Sequence, residues 1–207
     1  MDPAAIVSLI LALVGSAGVF WVILKFSSEK ITKQYRVLSE RFGLELEQLP
    51  PQMGGFVRPE PTAYGIYRER EISFSAPGKG LKGTRQIETV LKVELKDRTL
   101  RGQISVTGLL GLGQRDHGGQ ARWQSGDQAF DAAVDVRTNQ GEIFARVLTK
   151  ERQQQLATIL KASKATLYIA DGTMAYAKLG LIADDATRQA FEEVVDFLCD
   201  FAETVES

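Results

Sequence analysis

Side chains that commonly support catalysis are scarce in this sequence of 207 residues. His117 is the only histidine, and it follows Asp116 in a glycine-rich segment where an imidazole could act as acid, base or ligand. Cys199 is the only thiol, and its place beside Leu198 and four residues after Val195 predicts a core cysteine on the apolar face of a helix. We therefore expect no Cys–His dyad and no catalytic residue, and we interpret His117 as an exposed loop residue.

Metal and cofactor sites are not predicted either. One Cys and one His exclude a disulfide framework and a zinc site built from the usual ligands. Asp131 and Asp135 fall in the segment 130–136, whose alternating apolar residues predict a strand. Four residues of strand place the two carboxylates roughly 13 Å apart on one polar face. This is too far to share a proton or a metal ion, so we interpret both as part of a solvated sheet face.

A basic loop is the first candidate binding site, because it contains Lys79, Lys82 and Arg85 among three glycines. Backbone N–H groups and cations in such a loop can bind a phosphate, although the residue order is not that of a P-loop. The functional interpretation is contact with anionic lipid headgroups, a phosphorylated ligand or an acidic partner. The alternative is a solvated hairpin loop.

The segment 107–127 is the second candidate, with five glycines between positions 108 and 119 and no clear period. Leu109, Leu110 and Leu112 form an apolar cluster, and Trp123 follows. Leucines exposed on an isolated domain would form the kind of patch that marks interfaces. We predict that these four residues contact a partner. A glycine-interrupted hairpin extension and local disorder are the alternatives.

The N-terminal segment predicts a membrane anchor. Residues 3–24 are 22 consecutive uncharged residues, which as a helix extend roughly 33 Å across a hydrocarbon core of about 30 Å. A cleaved signal peptide is the alternative, but the flank Met1-Asp2 lacks the positive charge that signal peptides carry. We predict an uncleaved, single-pass signal-anchor over residues 1–26.

The charges that flank this segment predict its orientation. Five basic residues follow the span within about 20 positions and none precedes it: Lys25, Lys30, Lys33, Arg36 and Arg41. The positive-inside rule then places the N-terminus outside the plasma (inner) membrane and the C-terminal domain in the cytoplasm. Phe20 and Trp21 would lie near the inner interface as an aromatic anchor.

Small residues recur every four positions along the span, at Ala4, Ser8, Ala12 and Ser16. Such a ridge lets a second transmembrane helix approach closely, so we predict self-association or pairing with other subunits of a membrane complex. The alternative is a simple anchor, because small residues are common in transmembrane helices.

An amphipathic helix is predicted to continue from the span over residues 27–43. The stripe has a 4-3-4-3-4 spacing and ends before Gly43: Leu24, Ser28, Ile31, Tyr35, Leu38 and Phe42. Fewer than three heptads do not establish a coiled coil, and the stripe could equally pack on its own domain.

Residues 44–207 are predicted to form one α+β domain, in which helices pack on one side of a mostly antiparallel β-sheet. Proline-rich residues 49–61 read as an irregular connector. Period-two patterns and turns predict strands at 64–68, 72–76, 84–96, 100–106, 130–136, 166–170 and 173–177. Helical patterns occupy 142–148, 150–162 and 184–205.

Composition limits the function classes. A net charge of −1 gives no electrostatic basis for nucleic-acid binding. The leading hypothesis is a non-catalytic single-pass membrane protein, an accessory or scaffold subunit of a membrane-associated complex whose partners are the bilayer and other subunits. The alternative is a membrane-surface module that binds anionic lipid or a phosphorylated ligand through the basic loop.

Overall fold

A computed structural model describes residues 3–77, 87–108 and 120–207, with side chains from residue 12 onward. The chain begins with one 40-residue helix, α1 (Pro3–Phe42). The predicted span and the predicted amphipathic helix are therefore one uninterrupted element about 60 Å long. Between residues 12 and 30 its side chains are exposed or half-buried, and α1 is long and apolar enough to cross a membrane.

Gly43 ends α1, as the sequence predicted. Its φ of +66° lies in the left-handed region that glycine adopts without steric cost. The N–H of Leu44 then donates to the carbonyl of Ser39 at 2.9 Å, the bond of a Schellman motif. The chain thus leaves the helix sharply and enters the sheet within two residues.

The sheet has nine strands in the described residues, and every strand pair is antiparallel. The strands are β1 (Glu45–Glu47), β2 (Thr62–Tyr67), β3 (Arg70–Ser75), β4 (Glu88–Glu94), β5 (Gly102–Val106), β6 (Ala121–Trp123), β7 (Val134–Thr138), β8 (Thr166–Ala170) and β9 (Thr173–Leu179). Their order is β1-β2-β3-β4-β9-β8-β5-β7-β6. The last hairpin brings β9 beside β4 and joins the two halves of the sheet.

The remaining helices are α2 (Gln128–Ala133), α3 (Gly141–Val147), α4 (Lys150–Ser163) and α5 (Asp185–Glu206). The predicted α+β fold is confirmed, and the predicted helices at 142–148, 150–162 and 184–205 correspond to α3, α4 and α5. Thr149 caps α4 and Asp184 caps α5, each by accepting a hydrogen bond from a first-turn N–H.

The prediction of a strand over 130–136 was wrong in its first half, which forms α2. The Asp127 carboxylate accepts hydrogen bonds from the N–H groups of Ala129 and Phe130 and so begins a helix. Asp131 and Asp135 therefore do not share a strand face. Asp131 accepts hydrogen bonds from the Ser125 and Gly126 backbone, and Asp135 on β7 contacts arginine side chains of β6 and β7.

The core lies between one face of the sheet and the helices. Leu91 of β4 and Tyr176 of β9 point into it and are buried. Phe191 on α5 packs edge-on against Tyr176, with ring centroids 5.5 Å apart, and against Phe74 of β3 at 6.2 Å. These aromatic contacts hold α5 across the middle of the sheet.

The C-terminal end of α5 is held to the sheet by an ion pair. Both terminal nitrogens of Arg70 contact the Glu206 carboxylate, at 2.8 and 2.7 Å, and the N–H of Lys96 donates to it at 2.7 Å. The hydrogen bonds from Arg70 hold the pKa of Glu206 below its ordinary value. A carboxylate is unfavourable at a helix C-terminus, and Arg70 compensates for it.

Glu206→Gln should lower the free energy of unfolding at pH 7 by about 1.5–3 kcal/mol, because hydrogen bonds to a charged group are weakened. A folded pKa below the unfolded one stabilises the protein above the unfolded pKa, and this stabilisation is lost as the pH falls through the folded pKa. The difference between wild type and variant should therefore shrink in acid. Urea unfolding of both detergent-solubilised proteins at pH 7 and in acid measures this difference. An equal difference in the free energy of unfolding at each pH would show that the charge of Glu206 is not the cause.

Candidate site at the junction of the membrane helix and the domain

The second half of α1 is part of the domain core. Tyr35 and Leu38 are fully buried, and Ile31 and Phe42 nearly so, together with the polar residues Gln34 and Ser39, whereas Lys33, Arg36 and Glu40 are exposed. Phe42 packs edge-on against Tyr67 of β2 with ring centroids 4.9 Å apart. Of the two uses considered for this stripe, packing on its own domain is confirmed.

A buried carboxylate links α1 to α5 beside this stripe. Glu192 of α5 is 5% exposed and accepts from Arg41 of α1 at 2.8 Å and from Arg188 one turn earlier on α5. Arg188 also donates through Nε to the side-chain oxygen of Gln34 at 3.1 Å. Each helix contributes a cation and a neutral or acidic partner, so the network specifies how α1 is rotated against the domain.

Burial also governs the titrating groups near the junction. Burial raises the pKa of the Tyr35 phenol well above its usual range, and the charge of Glu60 adds to this effect. Burial likewise raises the pKa of Glu60 itself. Tyr35 is therefore neutral at every physiological pH and acts here as a packing residue. The electrostatic effect of Glu60 indicates that the end of the proline-rich connector lies near this part of α1.

The predicted helix-packing ridge lies on α1. Ala4 and Ser8 are helical in backbone, and their side chains are outside the described residues; Ala12 and Ser16 are exposed. The Ser16 hydroxyl donates to the Leu13 carbonyl at 2.9 Å. Association through this ridge stays a prediction.

Trp123 of β6, predicted to contact a partner, packs against its own domain. Its ring centroid lies 6.1 Å from that of Phe144, and a methyl group added at Gly141 would come within 3.0 Å of the indole. The side chain is half-buried. The other predicted contacts lie outside the described residues: Leu109, Leu110, Leu112, Lys79, Lys82 and Arg85. His117, which we interpret as an exposed loop residue, also lies outside them.

Cys199 lies on the buried face of α5, as its spacing predicted. Burial raises the pKa of its thiol to about 11, so the nucleophilic thiolate is nearly absent at neutral pH. Within residues 12–77, 87–108 and 120–207, no three His, Cys, Asp or Glu side chains are grouped so that they could hold a metal ion.

Cys199→Ala should leave membrane association and complex formation unchanged. It removes one small buried group, and the free energy of unfolding should fall by about 1 kcal/mol. Thermal unfolding of the wild type and the variant measures the change in stability, and co-purification with the membrane fraction and with partners measures association. Loss of function in a variant that unfolds at a normal temperature would show that the thiol has a chemical role.

No protein-family model matches the chain, and no curated protein matches its sequence. Among solved structures, the chain is similar to the crystal structure of the mycobacterial trehalose monomycolate transport factor A, TtfA, with a TM-score of 0.56. The sequence identity is 11%, and the match covers 84% of this chain and 93% of that chain. At this identity the likeness shows a common fold.

Proposed function

We propose that this chain is a non-catalytic single-pass membrane protein, an accessory or scaffold subunit of a membrane-associated complex with its α+β domain in the cytoplasm. The observation that carries the proposal is the construction of α1. One helix supplies an uncharged first half suited to a bilayer, with exposed side chains over residues 12–20, and a second half that is built into the domain core. The domain is thereby held at the membrane surface.

The fold similarity supports the same role. The mycobacterial protein with this fold is named as a transport factor, and it matches over most of both chains. That name is compatible with the role of an accessory subunit in a membrane-associated complex. The partners proposed here are the lipid bilayer and other subunits of such a complex.

The proposed orientation rests on five basic residues after the span and none before it. A Ser207→Cys variant in a Cys199→Ala background should react with a membrane-impermeant maleimide only after the inner membrane is permeabilised. An Asp2→Cys variant in the same background serves as the matched control, and it should react with the maleimide before the membrane is permeabilised. Labelling at position 207 in intact spheroplasts would contradict the orientation.

The accessory role predicts a stoichiometric companion of the full chain in mild detergent. The triple variant Leu109→Ser, Leu110→Ser and Leu112→Ser should lose this companion, because three leucines buried at an interface contribute about 1.5–3 kcal/mol each. Affinity purification with quantitative mass spectrometry measures the loss, and thermal unfolding provides the control for folding. A variant that keeps its companion and melts at a lower temperature would show that the leucines belong to the core.

A further inference from the structure

Residues 48–60, here called the arm, run down α1 toward the membrane segment and return. At the start of the arm, Gln48 donates to the Thr32 hydroxyl at 2.9 Å. At its tip, the Gly54 carbonyl accepts from the indole N–H of Trp21 at 3.1 Å. At its end, the chain enters β2, which packs against α1 through the Tyr67–Phe42 contact. From Thr32 to Trp21 the arm descends 11 residues of helix, or about 16 Å.

The tip of the arm reaches the level of the uncharged segment. Trp21 lies four residues before Lys25, the first charge after the span, and hence about 6 Å inside it along the axis. Lys25 and Arg58 both lie over the indole, at 5.7 and 6.0 Å from its ring centroid. An indole flanked by cations is the composition of a membrane–water interface.

Four large apolar side chains of the arm are exposed. Met53 is 78% exposed, and Leu49, Phe56 and Val57 are also exposed. On a domain that met only water, four neighbouring large apolar side chains would be an unusual patch. Beside a membrane helix, the same patch has an adjacent apolar phase to enter.

Much of the backbone of the tip is already hydrogen-bonded within the protein, which lowers the cost of entering such a phase. Gln52 and Val57 exchange two hydrogen bonds, at 2.8 and 3.2 Å. The carbonyls of Met53, Gly54 and Gly55 accept from the Phe56 N–H, the Trp21 indole and the Arg58 guanidinium, respectively. These groups would therefore keep their hydrogen bonds when the tip is inserted.

We infer that the arm inserts Met53, Phe56 and Val57 into the interfacial layer of the leaflet in which the uncharged segment of α1 ends, as a second contact with the bilayer. The inference rests on the proposed membrane span of α1. The structure favours the bilayer as the partner of these side chains, because the hydrogen bond from Trp21 to Gly54 fixes the tip of the arm beside the uncharged segment of α1. Two contacts with one leaflet would restrain both the tilt and the rotation of the helix.

Depth-dependent quenching tests this inference on the full chain in liposomes. In a Cys199→Ala background, Met53→Cys is labelled with an environment-sensitive fluorophore, and quenching by a nitroxide lipid is compared with quenching by aqueous iodide. Ile66→Cys is the matched control: Ile66 is 71% exposed, and it neighbours Gly65, which packs against Leu44, about 30 Å along α1 from the span. The Met53 label should be quenched several-fold more by the lipid nitroxide, and the Ile66 label by iodide.

A third label separates the inference from the proposed function. Val14→Cys lies within the exposed span and should be quenched by nitroxide lipid if α1 is inserted. If Val14 is in lipid and the Met53 label is quenched by iodide as strongly as the Ile66 label, the arm is in water and the inference fails. It also fails if the Met53 label is protected from both quenchers, because a protein would then cover the arm. If Val14 itself is in water, the proposed anchor fails as well.

Two adjacent glycines provide a variant and its control. Both have positive φ, +67° at Gly54 and +92° at Gly55, but an added Cβ meets nothing within 4 Å at Gly54 and lies 2.8 Å from the Trp21 indole nitrogen at Gly55. Gly55→Ala should displace the tip, so that aqueous iodide again quenches the Met53 label. Gly54→Ala should increase iodide quenching less. Equal, unchanged lipid quenching in both variants would show that the contact with Trp21 does not determine the depth of the arm.

Discussion

A chain that begins at residue 44 is expected not to fold, whereas one that begins at residue 27 should unfold cooperatively. The shorter chain lacks Ile31, Tyr35, Leu38 and Phe42, which are buried in the core. Four such side chains contribute about 6–12 kcal/mol at roughly 1.5–3 kcal/mol each. This is comparable to the whole stability of a typical domain, about 5–15 kcal/mol.

Circular dichroism during thermal and urea unfolding distinguishes the two chains. Leu38→Ala in the longer chain is an intermediate case, with an expected loss of about 2–5 kcal/mol for a large-to-small change in a core. Glu40→Ala, on the exposed face of the same helix, is the matched control and should change little. A cooperative transition of similar midpoint in the chain from residue 44 would show that α1 is only an attachment to the domain.

The second large effect is expected at Glu192. Glu192→Ala removes the buried carboxylate that pairs with Arg188, whose side chain is only 14% exposed. The guanidinium is then left with the Gln34 amide oxygen and with the exposed Asp185 carboxylate at 3.9 Å. Breaking a buried ion pair in this way costs about 3–5 kcal/mol. Arg41 is half-exposed and can return to solvent, so it adds little to the loss.

A double variant shows whether the unpaired charge is the cause. Glu192→Leu with Arg188→Met removes both charges and should recover most of the stability, because apolar residues of similar volume often replace a buried pair without loss. Glu193→Ala, an exposed neighbour on α5, is the control. If the double variant is as unstable as Glu192→Ala, the defect comes from lost packing.

Local sequence signals predicted most of the fold. Asp171 and Gly172 both have positive φ, +51° and +77°, as the two-residue turn between β8 and β9 requires.

The wrong prediction of a strand over 130–136 also has a local cause. Phe130 and Val134 are spaced for a helix as well as for a strand, and a segment this short cannot separate the two periods. The cap at Asp127 decided in favour of the helix.

The candidate site was less accessible to sequence reasoning. The stripe from Ile31 to Phe42 is the same whether it faces a second helix or its own sheet, so its partner required the tertiary structure. The bond from Trp21 to Gly54 joins residues 33 positions apart and leaves no period in the sequence. The proline-rich connector was therefore interpreted as irregular. Two large apolar residues beside its glycines, Met53 and Phe56, were a signal in the sequence that could have indicated a contact with an apolar partner or with the bilayer.

The uninterrupted course of α1 has a consequence for how the protein meets other molecules. Only seven residues of helix, about 10 Å, separate Leu24 at the end of the uncharged segment from Ile31 in the core. A domain on a flexible linker samples a wide volume beside the membrane, but this one has no flexible linker that could extend. With α1 in the bilayer as proposed, its encounters would be confined to a thin layer and would occur by lateral diffusion in the plane of the bilayer. A partner must therefore present its own surface within that layer, or be carried there by a membrane segment of its own.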